Sequence, residues 1–476
     1  MASATAIMAS TSGSSGQGGG SPSATATSVA SQSPKAQEVM EYLTTHELTQ
    51  KLNDIVNACV RARADDPFAF MATQMHRIQQ PATITRVRVV RLLSSVHVSV
   101  YGKCYQPDQL CGAGSVPQSD PPAATTTSAE EISQALTALL KGQGLADLVA
   151  LDQLVSDLSK EWAPAVMPSL STALAISVSQ ASHLEPYALI SSICFGQQKK
   201  DSELAIPSPL VEVARPRASK YRAVGIVALP PGQPLLSQLQ RAQTICKVGD
   251  GRASSGEHTR GVIVRVQALE SVGTVAANGT VTIDGKKFDD VLNVIEKAIT
   301  STGVVLGEQV GIWVDVGADA CFVAEANEYE VDGGASASRE ELFAQYESML
   351  ASHPAVSALI DPFHRDDRDG WALFANASAR RCTPISSSSD PIPGAAASVS
   401  LSSTVSQAIQ DARSAREANC DVVISRRPVE GPESIIADVA VGVGAKFARF
   451  GPIAPAENAC KYDRLLQIES ALQAAK

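Results

Sequence analysis

The sequence predicts an α/β protein in which a (β/α) barrel follows a smaller α+β domain. In the second half of the chain, apolar segments rich in Val and Ile alternate with amphipathic helical segments. Strands with continuous apolar runs are covered on both faces, as in parallel sheets, and this many repeats favour closure into a barrel. The first half instead has two strands followed by several helices, which is typical of an α+β domain. We therefore assign residues 84–215 to the α+β domain and residues 216–476 to the barrel.

Length, charge and cysteine usage limit the class of protein. The 476 residues suffice for two or three domains. The formal net charge of −10 argues against nucleic-acid binding, which needs a basic face. No apolar run reaches the length that spans a bilayer, and the nine cysteines include no Cys-x-x-Cys pair. We expect a protein of a reducing compartment such as the cytoplasm, with neither a nucleic-acid nor a membrane partner.

Residues 1–36 consist almost wholly of Ser, Ala, Thr and Gly. Such a segment buries too little apolar surface to offset its ordering entropy, so we predict a disordered tail. The alternative interpretation is a transit peptide. Transit peptides are rich in Arg, whereas this segment contains none.

Residues 37–80 predict a hairpin of two amphipathic helices. Apolar residues recur at helical spacing in the first helix: Leu48, Leu52, Ile55, Val56 and Cys59. Asp66 and Pro67 then supply an N-cap and a first-turn proline for the second helix. The segment resembles the dimerisation-and-docking hairpin of protein kinase A regulatory subunits, which implies a homodimer or a docking partner. The other interpretation is an ordinary hairpin packed on its own chain.

The next segments predict strands first and helices second. ITRVRVVRLL and SVHVSVYG alternate apolar and polar residues, and His97 lies within this alternation as an ordinary strand residue. We interpret residues 105–127 as a loop rich in Pro, Ser and Thr. Ser128 and Glu131 fit a capping box that begins the first helix.

Four segments of the second half resemble motifs of the enolase family, in the same order and spacing. They are YEVDGG at 329–334, ALIDPFHRDDRDGW at 358–371, IADVAVGVGAKFARFG at 436–451 and ENACKYDRLLQIESAL at 457–472. The resemblance extends, with gaps, from about residue 84 to the C-terminus. The chain looks most like the divergent enolase 4-like branch associated with sperm and cilia, which implies a cytoplasmic location that includes the cilium or flagellum.

The resemblance implies a lyase of glycolysis that removes water from 2-phosphoglycerate to give phosphoenolpyruvate. In that reaction Mg²⁺ stabilises the intermediate, a lysine removes the proton and a glutamate helps hydroxide to leave. Mg²⁺ prefers oxygen ligands in an octahedral arrangement. The family supplies them as an Asp, a Glu and a second Asp at successive strand ends. An active enzyme would therefore use Mg²⁺ as its cofactor.

Aligned with the family, this chain keeps one of the three metal ligands. Asp315 stands at the first position, but Ile360 stands at the Glu position, directly before an Asp-Pro-Phe sequence. The third position aligns with Ser388 and Ser389, and Asp390 comes one residue too late. Asp315 is thus the vestige of a metal site.

The positions of proton transfer are replaced as well. Ser398 aligns with the base lysine and Gly225 with a glutamate. The family's Gly-Asp-Glu-Gly-Gly loop has no counterpart. No intact catalytic residue is therefore predicted.

The substrate-binding positions are replaced in part. Arg449 aligns with the lysine that holds the substrate carboxylate, and it keeps the charge but not the shape. Ser425 and Arg427 match the Ser-His-Arg-Ser phosphate loop, in which Arg426 replaces the His and Pro428 the second Ser.

These arginines allow two interpretations. They form a basic pocket for a small phosphate or carboxylate anion, or they pair with Asp315 and Glu430 as a structural plug. The sequence slightly favours the plug.

Two functions are compatible with these residues. The first is a catalytically degenerate member of the family that acts as a structural or interaction protein, for example in a cilium or flagellum. The second is an active phosphopyruvate hydratase with substituted active-site residues. The losses at Ile360 and Ser398 favour the first.

Overall fold

The computed structural model describes residues 34–78, 81–92, 95–103, 108–117, 127–158, 162–197, 199–217, 221–228, 234–246, 273–276, 280–284, 288–331, 334–378, 382–388, 390–427 and 431–474. The chain divides into two compact units, residues 1–80 and 81–476.

Within its described residues, 34–78, the first unit contains three helices: α1 (Pro34–Thr45), α2 (Leu48–Ala62) and α3 (Pro67–Ile78). Asp66 caps α3 as predicted, since its carboxylate accepts hydrogen bonds from the amides of Phe68 and Ala69, both at 3.0 Å. Helix α1 was not predicted, and its first residues were assigned to the tail. Apart from half-buried Leu43, the described side chains of α1 are exposed. Residues 1–33 of the predicted tail lie outside the described residues.

The second unit begins with an antiparallel sheet of three strands in the order β1-β2-β3. The strands are β1 (Thr83–Arg91), β2 (Ser95–Lys103) and β3 (Gln109–Pro117). The helices that follow are α4 (Ala129–Leu140), α5 (Leu148–Ser156), α6 (Ala163–Ala181) and α7 (Pro186–Phe195). The capping box of Ser128 and Glu131 is present at the start of α4. The predicted order of strands and then helices is confirmed.

Strand β3 corrects the prediction of a loop over residues 105–127. Its small residues let the strand lie close to α6. An ideal Cβ at Gly112 would lie 2.3 Å from the carbonyl oxygen of Ala173, and one at Gly114 would lie 2.3 Å from that of Ser169. These glycines permit the close approach, and they also weaken the apolar alternation by which a strand is recognised.

The remaining strands build the barrel and two small additions to it. They are β4 (Ser208–Pro216), β5 (Ala223–Ala228), β6 (Gly273–Val275), β7 (Val281–Ile283), β8 (Val310–Asp315), β9 (Phe322–Val323), β10 (Glu328–Glu330), β11 (Ser336–Ala337), β12 (Val356–Ile360), β13 (Thr383–Ser386), β14 (Ala396–Ser400), β15 (Val422–Ser425) and β16 (Phe447–Arg449). The helices are α8 (Leu235–Cys246), α9 (Phe288–Ser301), α10 (Arg339–Ser352), α11 (Arg368–Ser378), α12 (Val405–Glu417), α13 (Ile435–Gly442) and α14 (Ala456–Ala474).

Eight of these strands close into a barrel. The order is β4-β5-β8-β12-β13-β14-β15-β16, and β16 pairs with β4 to complete the ring. The predicted fold class, a mixed α/β protein with a C-terminal barrel, is confirmed. The predicted strand GVIVRVQ at 261–267 lies outside the described residues.

The barrel differs from the prediction at its first two strands. β5 runs antiparallel to both β4 and β8, whereas a parallel sheet was predicted. The connection between β4 and β5 is too short for the crossover helix that two parallel neighbours need. β4 also places residues 208–215 in the barrel sheet, although the sequence pattern assigned them to the preceding domain.

The barrel strands enclose an apolar cluster that is separate from the main core of the unit. Its buried members are Leu210, Ala223, Val227, Trp313, Ala358, Ile360, Ile385, Ala396 and Val423. Trp313 is the largest of these side chains and is fully buried. The barrel is therefore filled from within.

Candidate functional site

The C-terminal ends of the parallel strands open at one end of the barrel, where a cavity of about 460 Å³ lies. We call it the mouth cavity. Its described lining consists of Glu212, Arg215, Arg222, Ala223, Asp315, Ser425, Arg426, Arg427 and Arg449. Four of these residues were singled out from the sequence as anion-binding candidates, and the structure brings all four together with Asp315.

Asp315 ends β8 and is buried, and its carboxylate forms an ion pair with the guanidinium of Arg449 at the end of β16. The guanidinium carbon also lies 5.0 Å from the ring centroid of Trp313. The carboxylate at the first metal position is therefore already neutralised by a side chain of this protein. This contact is the one that the plug interpretation required of these two residues.

Ile360 ends β12 directly beside Asp315 in the sheet register. Its side chain is 1% exposed and belongs to the apolar cluster inside the barrel. The strand end that carries a metal ligand in the enolase family thus presents an aliphatic group that packs against the barrel interior.

Asp361 follows Ile360 with a positive φ of 48° and is buried. Its carboxylate accepts hydrogen bonds from the amide of Ser387, at 2.7 Å, and from the Ser387 hydroxyl. Burial raises the pKa of Asp361, and these hydrogen bonds oppose the effect. Asp361 thus ties the end of β12 to the segment after β13 and is not part of the mouth lining.

The third metal position is not filled by a carboxylate of the mouth. Asp390 is exposed and does not line the mouth cavity. Its amide donates to the hydroxyl of Ser388 at 3.2 Å, and Ser389 lies outside the described residues.

Ser398, at the position of the base lysine, lies on β14 with its hydroxyl oxygen 2.6 Å from that of Ser425 on β15. Neither hydroxyl removes a proton at neutral pH as a lysine amine can. Ser398 therefore places a neutral polar pair where the family has its base.

Gly225 faces Trp313 across the β5–β8 pair. An ideal Cβ at Gly225 would lie 2.2 Å from two carbons of the Trp313 ring, so the indole excludes any side chain at this position. The alignment with the family predicts the loss of a glutamate at position 225. The structure adds that Trp313 occupies the space.

Arg427 is buried, with a guanidinium nitrogen 3.9 Å from a carboxylate oxygen of Glu433. Glu433 also accepts a hydrogen bond from the amide of Ser115 in the N-terminal domain. Glu430 was the partner expected from the sequence in a plug. Glu430 and Pro428 lie outside the described residues, and Glu433 is the carboxylate found beside Arg427.

Glu212 and Arg215, both on β4, are functional-site residues that were not predicted from the sequence. Glu212 is buried, and one of its oxygens lies 2.5 Å from Nε of Arg215. This hydrogen bond raises the pKa of Arg215. The segment ARPRASKYR carries a cluster of basic residues that could have signalled the site, but β4 was not recognised as a barrel strand.

Arg222 was not singled out from the sequence either. Neither Arg222 nor Arg426 has a carboxylate partner within the described residues. Each guanidinium instead lies where a neighbouring glycine leaves room. Nε of Arg222 is 2.2 Å from the ideal Cβ position of Gly317, and Nε of Arg426 is 2.9 Å from that of Gly451. The described lining carries five arginines against two carboxylates, and Glu433 lies beside one of these arginines, Arg427. The mouth cavity is therefore positively charged.

The side chains at the mouth do not fit a magnesium ion. Mg²⁺ demands several oxygen ligands in near-octahedral geometry. The aligned positions supply the ion-paired carboxylate of Asp315, the alkyl group of Ile360 and serine hydroxyls. Across the described ranges, no three His, Cys, Asp or Glu side chains lie close enough together to hold a metal ion.

Comparisons with known proteins agree with the barrel geometry. Residues 257–384 and 397–476 match the family described as enolase, C-terminal TIM barrel domain. Enolase 4 of Xenopus laevis is 24% identical over 302 residues, which cover 58% of this chain and 50% of that protein. Enolase of Wolinella succinogenes is 32% identical over 202 residues, covering 39% and 47%. Cytosolic enolase 3 of Arabidopsis thaliana is 25% identical over 483 residues, covering 91% and 96%.

The matched part of this chain spans about half the length of the Enolase 4 relatives.

Among the helices that the structure describes, none has both the length and the apolar character needed to cross a membrane.

Proposed function

We propose that this chain is a divergent member of the enolase family that has lost the family's dehydration chemistry and acts as a binding protein. The observation that carries the proposal is the end of β12, where buried Ile360 replaces a carboxylate beside Asp315. The two carboxylates of the described mouth lining, Asp315 and Glu212, are paired with Arg449 and Arg215. They offer Mg²⁺ too few oxygen ligands to displace its hydration shell.

The groups for proton transfer point to the same proposal. Loss of a general base alone lowers a rate by roughly 10²–10⁴-fold, and Ser398 stands at that position, hydrogen-bonded to Ser425. The acid side chain absent at Gly225 cannot be rebuilt there, because the Trp313 ring fills its space.

The proposal is tested by a coupled assay for phosphoenolpyruvate formation from 2-phosphoglycerate with excess Mg²⁺. We expect no turnover above background, with an active enolase as the positive control. Turnover within about a hundredfold of that control would contradict the proposal, since a missing base alone costs about that much. It would favour a phosphopyruvate hydratase with substituted residues.

We propose further that the mouth cavity binds a small phosphate- or carboxylate-bearing anion without metal. Guanidinium groups suit both kinds of anion, because each offers several N–H donors in one plane. Arg449 and Arg215 are paired with carboxylates, but Arg222 and Arg426 have no such partner among the described residues. A bound anion would supply the missing negative charge.

The anion proposal is tested by thermal unfolding with inorganic phosphate or phosphoenolpyruvate, each without added Mg²⁺. Binding to the folded state raises the melting temperature by mass action. We expect a rise for the wild-type protein and none for the double variant R222Q/R426Q. The matched control is R217Q, because Arg217 pairs with exposed Asp284 and does not line the cavity. A rise that requires Mg²⁺, or the absence of any rise at millimolar anion, would leave the plug interpretation in place.

The second proposed function is self-association through residues 37–80. Leu52, Val56 and Val60 follow one another at a spacing of four on α2 and are 44%, 47% and 69% exposed. We call them the apolar ridge. On α3, Phe68 and Met75 are also exposed. Monomers rarely expose a contiguous apolar surface of this kind, and a second copy presents the same ridge, so pairing about a two-fold axis buries both.

We propose a cytosolic location, in keeping with the name of the relative Cytosolic enolase 3. The ciliary or flagellar setting implied by the family resemblance belongs to the same proposal. Immunolocalisation in ciliated or flagellated cells tests the ciliary or flagellar setting. A signal restricted to the cell body would contradict that setting.

A further inference from the structure

An ion pair crosses the mouth cavity from one side of the barrel to the other. Arg449 ends β16 and Asp315 ends β8, and their side chains pair although β4 and β5 lie between these two strands in the ring. The Arg449 guanidinium also lies 5.0 Å from the ring centroid of Trp313, which belongs to the apolar cluster inside the barrel. We call this pair the mouth floor, because it covers the barrel interior and its two charges cancel.

Two arginines that have no carboxylate partner among the described residues stand at opposite ends of the mouth floor. The Arg222 guanidinium lies over Gly317, two residues beyond the end of β8, and the Arg426 side chain lies over Gly451, two residues beyond the end of β16. Both arginines line the mouth cavity. Arg222 is exposed and Arg426 is half-buried, so a ligand in the cavity can reach both.

The two glycines fix where these guanidiniums lie. Both have positive φ, 59° at Gly317 and 90° at Gly451. An ideal Cβ at Gly317 would overlap Nε of Arg222, and one at Gly451 would lie 2.9 Å from Nε of Arg426. A side chain at either position would therefore be strained and would displace the arginine beside it.

The other arginines of the described lining lie beside carboxylates. Arg449 pairs with the floor carboxylate, Arg215 on β4 pairs with Glu212, and Arg427 has Glu433 at 3.9 Å. Uncompensated positive charge is thus concentrated at the two ends of the mouth floor. These ends are three strand spacings apart in the ring, roughly 14 Å at about 4.8 Å for each spacing. A single phosphate or carboxylate group is too small to contact both.

We propose that the mouth cavity takes a ligand with an anionic group at each end, a short linear bisphosphate or dicarboxylate that spans the mouth floor from Arg222 to Arg426. Each guanidinium can hold one such group through two parallel N–H donors, and the linker lies over the floor. This inference rests on the anion binding proposed above and adds the number and placement of the ligand's charges. Arg222 lies outside the substrate-binding positions that align with the enolase family.

The test is a calorimetric titration of the full chain with three phosphonates, without added Mg²⁺. Hexane-1,6-diphosphonate has a chain long enough to span the mouth floor. Methylenediphosphonate carries the same two groups on a chain that is too short, and methylphosphonate carries one group. We expect the hexane compound to bind at least about tenfold more tightly than either of the others, because its second group binds at a high effective concentration.

Single variants separate the two ends of the mouth floor. R222Q and R426Q should each lower the affinity for the hexane compound about tenfold, to that for methylphosphonate, because each leaves one end without its guanidinium. Methylphosphonate should still bind to both variants, since the other arginine remains. The matched control is R217Q, which removes one arginine that pairs with exposed Asp284 outside the cavity. It should leave all three affinities unchanged.

A variant that keeps every charge tests the placement of Arg222. Gly317→Ala should displace the guanidinium and weaken binding of the hexane compound as R222Q does. Gly307→Ala is the matched control, because Gly307 also has a positive φ, 84°, and nothing lies within 4 Å of its ideal Cβ. It carries the same backbone strain without a clash and should bind like the wild type. The melting temperature of each variant reports whether it folds.

Two outcomes would overturn this inference and leave the proposed anion function in place. One is equal affinity for the hexane compound and methylenediphosphonate, and the other is undiminished binding of the hexane compound to R222Q. If none of the three phosphonates binds at millimolar concentration, both this inference and the proposed anion function are wrong.

Discussion

Trp313 and Gly225 illustrate how single residues complement each other inside the barrel. The indole fills the space that a side chain at 225 would need, and Ile360 joins the same apolar cluster. Two positions that carry acidic groups in the enolase family are thus parts of a packed interior here. An aliphatic or aromatic filling stabilises a barrel, whereas unpaired carboxylates at the same depth would destabilise it.

At the residue scale, we expect Gly225→Ala to destabilise the protein. The added methyl group would lie 2.2 Å from the Trp313 ring, and overpacking of this kind costs about 1–3 kcal/mol of unfolding free energy. Urea denaturation measures the change. Gly144→Ala is the matched control, because nothing lies within 4 Å of its ideal Cβ. If both variants unfold alike, Trp313 does not occupy the position described.

At the element scale, the helices of the first unit show a face with no partner among the described residues. Ile55 and Cys59 of α2 are buried, while the apolar ridge one step around the same helix is exposed. The spacing of apolar residues in the sequence is the same for the buried pair and for the apolar ridge. Helical periodicity therefore cannot show which of the two sets is buried within the chain and which is exposed. The exposure of Leu52 and Val56 supports the association proposal.

The element-scale prediction concerns the variant L52D/V56D. Two charges on the apolar ridge should convert the proposed dimer into a monomer, because unpaired charges are costly to bury. Analytical ultracentrifugation measures the association state, and calorimetry should find the melting of residues 81–476 unchanged, since they form a separate compact unit.

The matched control for that experiment is N53D/N57D, which adds the same charges at exposed positions of α2 off the ridge. It should leave the dimer intact. If L52D/V56D instead unfolds the whole protein, the hairpin packs on its own chain and the association proposal is wrong.

At the scale of the whole molecule, a buried carboxylate joins the N-terminal domain to the barrel. Asp152 on α5 accepts hydrogen bonds from the hydroxyl of Ser171 at 2.9 Å, and from the amide and hydroxyl of Ser406 at 3.1 and 2.6 Å. Ser406 lies in the first turn of α12. Burial raises the pKa of Asp152, and these hydrogen bonds reduce the shift. The joint between the domains therefore holds a carboxyl group whose ionisation is disfavoured by folding.

This joint predicts a pH dependence of stability. When folding raises the pKa of a carboxyl group, the protonated group stabilises the folded state at pH values below its pKa in the unfolded chain, about 3.9. This stabilisation is lost as the pH rises through the pKa of the group in the folded protein. Asp152→Asn mimics the neutral form, so its unfolding free energy minus that of the wild type should increase between about pH 4 and pH 8. Urea denaturation across this range measures it.

The control for the pH experiment is Asp463→Asn, at an exposed position on α14. Its effect on the unfolding free energy should be small, because substitutions at exposed positions are usually close to neutral. A difference for Asp152→Asn that stays flat with pH would show that burial of Asp152 does not influence its ionisation.

Local features of this protein were determined by the sequence alone. The capping box at Ser128, the N-cap at Asp66 and the strand that ends at Ile360 depend on residues a few positions apart. The interpretation of Ile360 and Ser398 as replacements rests on local pattern as well, because a family motif is aligned through its neighbours along the chain. The predicted fold class followed from periodicity in the same way.

The tertiary structure decided which distant residues meet. Arg449 pairs with Asp315 across 134 positions of sequence, and Trp313 covers Gly225, because closure of β16 onto β4 fixes the neighbours of every strand. The antiparallel β5 carries Arg222 to the mouth, which a parallel strand would not have done. Pattern along the chain records which face of an element is apolar, but the neighbours of a strand end depend on barrel geometry. The pairing of Arg449 with Asp315 was one of two alternatives that the sequence left open. The contacts of Gly225 and Glu212 could not be predicted.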